Sequence, residues 1–262
     1  MKPCLITMPH SHYCEKARWA LDLFGLEYVE EAHPPLFHWL ATSKRGGRSV
    51  PVFVHDARSY TDSTDILLHL DEMGAGLYPQ EPGPRTEVLQ LEDEFDRTLG
   101  PHARRWAYAQ LLPHSALLFK VMSPGTPRVE RTLLPAVLPI AKPLIRKSLR
   151  ISDQSAVRSL ALVDQVFSSV EERLRDGRRY LVGGRFTAAD LTFASLAAPV
   201  LLPPKYRGHM PALDEVPQSM REVVVRLRQT VSGQFAMGLF DMHRQSALPL
   251  KRIGPQRPHR ET

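Results

Sequence analysis

The chain predicts two domains in series: an α/β domain of order βαβαββα on a mixed four-stranded sheet, then an all-α domain. Three observations carry this. Strand and helix signals alternate through the first 78 residues. After Pro82-Gly83-Pro84, which reads as a short linker, no alternating strand pattern recurs. A length of 262 residues suits two domains of roughly 100–200 residues each. The expected boundaries are 1–78 for the first domain, 86–245 for the second, and 246–262 for a basic, flexible tail.

Each element has a local reason. Leu5-Ile6-Thr7 is a short β-prone run stopped by Pro9. Counting from Ala17, residues Ala17, Ala20, Leu21 and Phe24 fall at spacings of 0, 3, 4 and 7, and Gly25 stands where a helix C-cap belongs. Tyr28-Val29 reads as a second strand, Pro34-Pro35 precedes a short helical stretch at 37–40, and Gly46-Gly47 is a turn. Val50-Pro51-Val52-Phe53-Val54 is strongly β-prone, and Ser59-Tyr60-Thr61 follows across the turn at Asp56-Ala57-Arg58. Those last two strands are close enough to form a hairpin, whereas the first two need a crossover. Ile66, His69, Leu70 and Met73 repeat the helical spacing before Gly74. In the second domain 87–99 and 157–174 are the clearest helices, the latter with a core stripe of Val163, Val166, Phe167, Val170 and Leu174. Thr187-Ala188-Ala189-Asp190 is a capping box, with Asp where Glu or Gln is usual.

Composition narrows the class. Hydrophobic residues at 43% and charged residues at 24% exclude wholesale disorder or coiled coil. The 23 prolines cluster in the helical half and read as helix kinks and interruptions. The apolar run at the start is too short for a signal peptide. The longest uncharged stretch, 191–204, falls below the ~20 residues a membrane span needs. The chain is therefore read as soluble. Two cysteines, Cys4 and Cys14, cannot build a disulfide framework and fit a reducing compartment, with the cytoplasm expected. The net charge of +6 is unevenly spread: residues 1–80 hold 7 Lys/Arg against 10 Asp/Glu, leaving 27 against 18 beyond. No Lys/Arg run is interleaved with aromatics, so nucleic acid is not an expected partner.

Ser11-His12-Tyr13-Cys14-Glu15-Lys16 sits between the first strand and the first helix, where backbone N–H groups favour a negative charge such as a thiolate. Ser11-His12-Tyr13-Cys14 resembles the Cys-Pro-Tyr-Cys of glutaredoxins with Ser in place of the first Cys. Taken with Val50-Pro51 opening a strand, Asp62-Ser63 opening a helix and the stretch from Phe186 to Asp190, the chain resembles a glutathione transferase: a thioredoxin-like domain followed by an all-helical one. The resemblance covers 1–78 well and about 155–200 in outline; it leaves out the 111–150 insert and the tail.

The resemblance implies roles by position. Ser11 matches the hydroxyl that donates to the sulfur of glutathione; its local alternative is a helix N-cap. Val50-Pro51 matches a cis-proline turn whose backbone binds the cysteinyl part, the alternative being a trans proline at a strand start. Asp62-Ser63 matches the pair at the γ-glutamyl end, Ser63 toward the carboxylate and Asp62 toward the ammonium, with an N-cap as the alternative. Arg48 is the candidate for the glycyl carboxylate, rivalled by Lys44, Arg45 and His38. Cys14, expected half buried in the first helical turn, is either a reactive thiol lowered by the helix N-terminus or a small buried hydrophobe. Trp106 and Tyr108 are candidates for an acceptor pocket, but two residues apart they do not share a helix face, so one belongs to the core. His10, His12 and Cys14 lack a fourth convergent ligand, and no metal is expected.

The implied function is a serine-type glutathione transferase that activates the glutathione thiolate, as co-substrate, for attack on a small apolar electrophile, as a homodimer. One alternative is a non-catalytic binding or interaction module of the same fold; another is a glutathione-dependent thiol-disulfide reductase using Cys14. The insert segment from Leu133 to Ile140, followed by Lys142, Arg146, Lys147 and Arg150, reads as a kinked packed helix in preference to a pocket cover or a membrane-surface contact.

Overall fold

Strand β1 (Cys4–Thr7) lies inside the first domain's sheet because both of its edges are used. It pairs in parallel with β2 (Val29–Ala32) and antiparallel with β3 (Val52–His55), and β3 pairs antiparallel with β4 (Arg58–Tyr60), giving the order β2-β1-β3-β4. The parallel pair is joined through helix α1 (His12–Phe24); α2 (Phe37–Ser43) follows β2, and α3 (Ser63–Glu72) follows the hairpin. Period-two alternation sends Leu5 and Phe53 to the main core, and Ile6, Val52 and Val54 to a smaller cluster on the other face. A computed structural model describes residues 2–244, so the tail expected at 246–262 lies outside the described residues.

Two expected boundaries move. Tyr28 stands before β2, whose register begins at the Cys4–Val29 pair and carries Glu30 and Glu31 into the strand. Glu30 is tolerated there because Arg18 Nε and Thr7 Oγ1 both donate to it at 2.7 Å. The Pro82-Gly83-Pro84 segment is not a linker: it forms the first turn of α4 (Pro82–Glu94), where a missing proline N–H costs nothing. Helix α4 therefore starts four residues before the expected start of the second domain at 86.

The remaining helices are α5 (Gly100–Leu111), α6 (Ser115–Met122), α7 (Arg128–Ser148), α8 (Asp153–Leu174), α9 (Ala188–Leu201), α10 (Gln218–Gln229) and α11 (Val231–His243). All fourteen residues of α9 are buried, and its start is fixed as the capping box predicts. Asp190 accepts from the Thr187 N–H and from the Leu181 N–H, each at 2.8 Å. In the insert, α7 runs through Pro135, Pro139 and Pro143 and packs Leu134, Leu138 and Ala141 inward; Leu134 and Leu138 join a satellite core with Leu118 and Met122. Val129, Leu133, Ile140 and Leu144 remain exposed. Among the described residues no helix is long and apolar enough to cross a membrane.

One irregularity positions the site. Between α4 and α5 the helix widens into a π turn, Phe95–Leu99. Pro101 has no N–H to give to the carbonyl four residues back, and its ring crowds that carbonyl, so the regular ladder cannot continue. The widening leaves the Asp96 carbonyl free to accept the Tyr13 hydroxyl at 2.9 Å, and the Gly100 carbonyl accepts from His12 Nε2 at 3.0 Å. A Cβ at Gly100 would stand 2.2 Å from the Tyr13 oxygen, so glycine is required for this approach of α1 to the helical domain.

Candidate functional site

Strand directions gather the sequence-predicted residues at one end of the sheet. β1 runs toward this end and leads into Ser11. β3 is antiparallel to it and starts here, immediately after Pro51, and β4 ends here, since Tyr60 pairs with Phe53. The starts of α1 and α3, with their unpaired N–H groups, therefore lie beside the Val50-Pro51 turn. The Val50–Pro51 peptide is cis, and Val50 makes no backbone hydrogen bond among the described residues. That leaves its backbone able to pair with an added extended segment.

Ser11 is the N-cap of α1: its Oγ accepts from the Cys14 N–H at 3.3 Å, and the residue is 9% exposed. A hydroxyl has one proton and two lone pairs, so accepting from Cys14 leaves the O–H free to donate. Capping and thiolate stabilisation are thus compatible roles of one atom. Asp62 caps α3 by accepting from the Thr64 N–H at 2.8 Å, and Ser63 occupies the first helical position, buried. Arg48 is exposed and unpaired among the described residues, while Lys44 and Arg45 line a separate cleft of about 500 Å³ with Glu31 and Glu130.

The start of α3 is held from behind by a buried charge network. Lys16 Nζ donates to Thr64 Oγ1 at 3.1 Å and meets Asp96 Oδ2 at 2.7 Å and Glu92 Oε1 at 2.9 Å. The Tyr78 hydroxyl donates to the other Glu92 oxygen at 2.6 Å. Burial alone would lower the Lys16 pKa, but Glu92 and Asp96 outweigh it and hold the ammonium above the usual lysine range. This network spans α1, α3, α4 and the π turn, so one lysine couples both domains to the residue after Ser63.

Two expectations need correction. Cys14 is not half buried but 0% exposed, and burial pushes its thiol up to about 11 against the smaller opposing effects of Arg18 and Ser11. The helix N-terminus therefore does not make it a thiolate at neutral pH. Trp106 is not a pocket residue: at 3% exposure it joins Ala103 and Ala107 in the main core. Tyr108 faces elsewhere, its hydroxyl 2.6 Å from His10 Nε2 beside Ser11. The α5 face that meets the start of α1 carries Arg104 with Tyr108, at the i, i+4 spacing, and Arg104 was not among the expected pocket residues. That spacing was the available signal for Arg104. Among the described residues, no group of three or more His, Cys, Asp or Glu is placed to hold a metal ion.

The histidines around Ser11 are neutral. Burial brings His12 down to about 3 with help from Arg104, and His10 and His38 down to about 4. These folded values lie below the ordinary 6.5, so the stability they supply is present above pH 6.5 and is lost as pH falls toward 4, where the unfolded chain takes up protons that the native state refuses. Denaturant unfolding at pH 7.5 and pH 5 is expected to show a drop of roughly 1.4 kcal/mol per histidine per pH unit through that window. A flat profile would contradict the burial of these rings.

Comparison with known proteins bears on the fold that carries this geometry. The family model described as the glutathione S-transferase N-terminal domain matches residues 5–76, and that of the C-terminal domain matches 132–229. Glutathione transferase GST 23 of Zea mays is 34% identical over 95 residues, which span 33% of this chain and 43% of the maize protein. The crystal structure of glutathione transferase GSTFuA3 from Phanerochaete chrysosporium superposes with a TM-score of 0.62 at 18% identity, covering 95% of this chain and 99% of that one. The theta class glutathione S-transferase from Xanthomonas axonopodis pv. citri, solved with glutathione bound, gives 0.54 at 18% identity over 90% and 97% of the two chains. At such identities the structural likeness speaks for the thioredoxin-like plus all-helical fold. With both halves of the family matched in order along a chain that folds as they do, this protein belongs to the glutathione transferase superfamily.

Proposed function

We propose that the protein is a glutathione transferase of the serine-thiolate kind. Glutathione lies along the end of the sheet: its cysteinyl backbone pairs with Val50, its γ-glutamyl carboxylate meets Ser63 and the start of α3, and its glycyl carboxylate meets Arg48. The observation that carries the reading is the Ser11 hydroxyl, whose proton is uncommitted at the start of α1 beside the Val50-Pro51 turn. Donated to sulfur, it favours the thiolate over the thiol; the thiol proton leaves to solvent. The sulfur then forms a bond to the electrophilic carbon of a small organic co-substrate held between the domains, so catalysis is thiol activation plus proximity. The same reading carries a cytoplasmic location and a homodimer with it.

Calorimetric titration with glutathione, alongside a conjugation assay with 1-chloro-2,4-dinitrobenzene, tests this. Saturable binding with turnover is expected, and a folded protein that binds no glutathione would overturn the reading in favour of a non-catalytic module. Cys14→Ser is expected to retain turnover, because its thiol is shielded and protonated. Loss of activity in that variant, measured against unchanged thermal stability, would move the chemistry to Cys14 and to disulfide reduction.

A further inference from the structure

Among the described residues Arg104 forms no ion pair, and its Nε is buried with no hydrogen-bond partner. A buried guanidinium N–H left unmade costs free energy that a ligand can return. The neighbouring Arg105 is occupied, donating to the Leu149 carbonyl at 2.7 Å and to Ser159 at 3.1 Å. The Arg104 guanidinium instead stands over the Tyr13 ring, 5.8 Å from its centroid, at the seam between the start of α1 and α5. Asp96, on the same tyrosine, commits its Oδ2 to Lys16 and Thr64.

One turn further along the same face, Tyr108 reaches His10, the residue before Ser11. The α5 face packed against the start of α1 thus presents a guanidinium and a phenol, and Trp106, the other aromatic expected to line an acceptor pocket, is in the core. Among the described residues no carboxylate satisfies this guanidinium, whose planar fork of donors matches an oxyanion.

We propose that Arg104, with Tyr108 beside it, forms the anion-binding wall of the acceptor site, and that the electrophile carries a carboxylate. This rests on the transferase reading above. For an unsaturated ketone bearing a carboxylate, the glutathione sulfur bonds to the β-carbon and the C=C electron pair moves to the carbonyl as an enolate. Water then protonates the enolate, and the carboxylate held by Arg104 takes no part in bond making.

Ethacrynic acid and its methyl ester are a matched pair with the same reacting carbon. The wild-type protein is expected to prefer the acid, and Arg104→Gln to lower the acid-to-ester ratio of kcat/KM by about 10- to 100-fold, the worth of a charge-assisted hydrogen bond. Arg104→Lys, which keeps the charge, recovers part of the ratio; a merely structural role for Arg104 would not give that rescue. An unchanged ratio overturns the proposal. So does a raised KM for glutathione with both electrophiles, which would assign Arg104 to glutathione. If the wild type conjugates neither compound, glutathione binding and turnover of 1-chloro-2,4-dinitrobenzene decide whether the transferase reading has failed, and calorimetry with the saturated, unreactive analogue of the acid still tests the anion site. Binding lost in Arg104→Gln supports the site, and binding equal in both proteins, or absent from both, overturns it.

Discussion

Ser11→Ala is expected to reduce conjugation turnover at pH 7 by roughly 10- to 100-fold and to move the rising limb of the pH–rate profile upward by about one to two units. Both effects have one cause. In the proposed reading the Ser11 O–H donates to the sulfur, and a hydrogen bond to an ionised acceptor is worth about 1.5–3 kcal/mol. Without it the bound thiol returns toward its ordinary pKa of roughly 8.5, and the thiolate becomes a minor species at neutral pH. The same substitution removes the cap of α1, since Ser11 Oγ accepts from the Cys14 N–H, and about 1 kcal/mol of stability goes with it. Ser11→Asp separates the two roles. Aspartate caps a helix as well as serine does, so stability is kept, but its negative charge opposes the thiolate and turnover falls below that of the alanine variant. Stopped-flow titration of the bound thiol reads the pKa directly. If Ser11→Ala loses stability and keeps its turnover, Ser11 is a cap alone and the serine-thiolate assignment is wrong.

The parts of the site readable from sequence are those that depend on local backbone chemistry. Ser11 and Asp62 each precede a helical run and can cap it; Val50-Pro51 opens a β-prone run; Thr187 and Asp190 have cap spacing. Each signal spans a few residues and survives into the fold. What was not legible depends on how α5 is rotated about its axis. The π turn at Phe95–Leu99 inserts extra backbone ahead of α5, so a helical periodicity carried through from α4 assigns the wrong faces. Trp106 is drawn into the core and Arg104 is turned toward Tyr13. The cause, Pro101, is visible in the sequence, but whether a proline breaks, kinks or widens a helix is decided by what packs against it. Here that is Tyr13, whose hydroxyl takes up the freed Asp96 carbonyl. Lys16, Glu92 and Asp96 were hidden for a related reason: a charged residue on a helix reads as a solvated face until its partner on another element is known.

Those three charges carry a large expected stability effect. Lys16→Met is expected to lower the free energy of unfolding at pH 7 by about 3–5 kcal/mol, the cost of breaking a buried ion pair from one side. Lys16 is fully buried, Glu92 is 1% exposed and Asp96 20%, so two carboxylates would remain with little access to water. Methionine fills much of the space vacated by the lysine stem, which keeps the packing loss small and isolates the electrostatic part. Burial already raises the Asp96 pKa against the opposing pull of Lys16. Without the lysine that rise is larger, so the destabilisation shrinks as acid protonates the network. Adding Glu92→Gln removes one uncompensated charge and is expected to recover part of the loss, a non-additivity that denaturant unfolding of the two singles and the double would measure. A change below about 1 kcal/mol would mean that water reaches the network, as at an exposed pair. The network also holds Thr64, the residue after Ser63, so Lys16→Met is expected to raise the KM for glutathione even at temperatures where the variant stays folded. An unchanged glutathione KM, together with the full stability loss, would confine the network to joining the two domains and detach it from the γ-glutamyl end of the site.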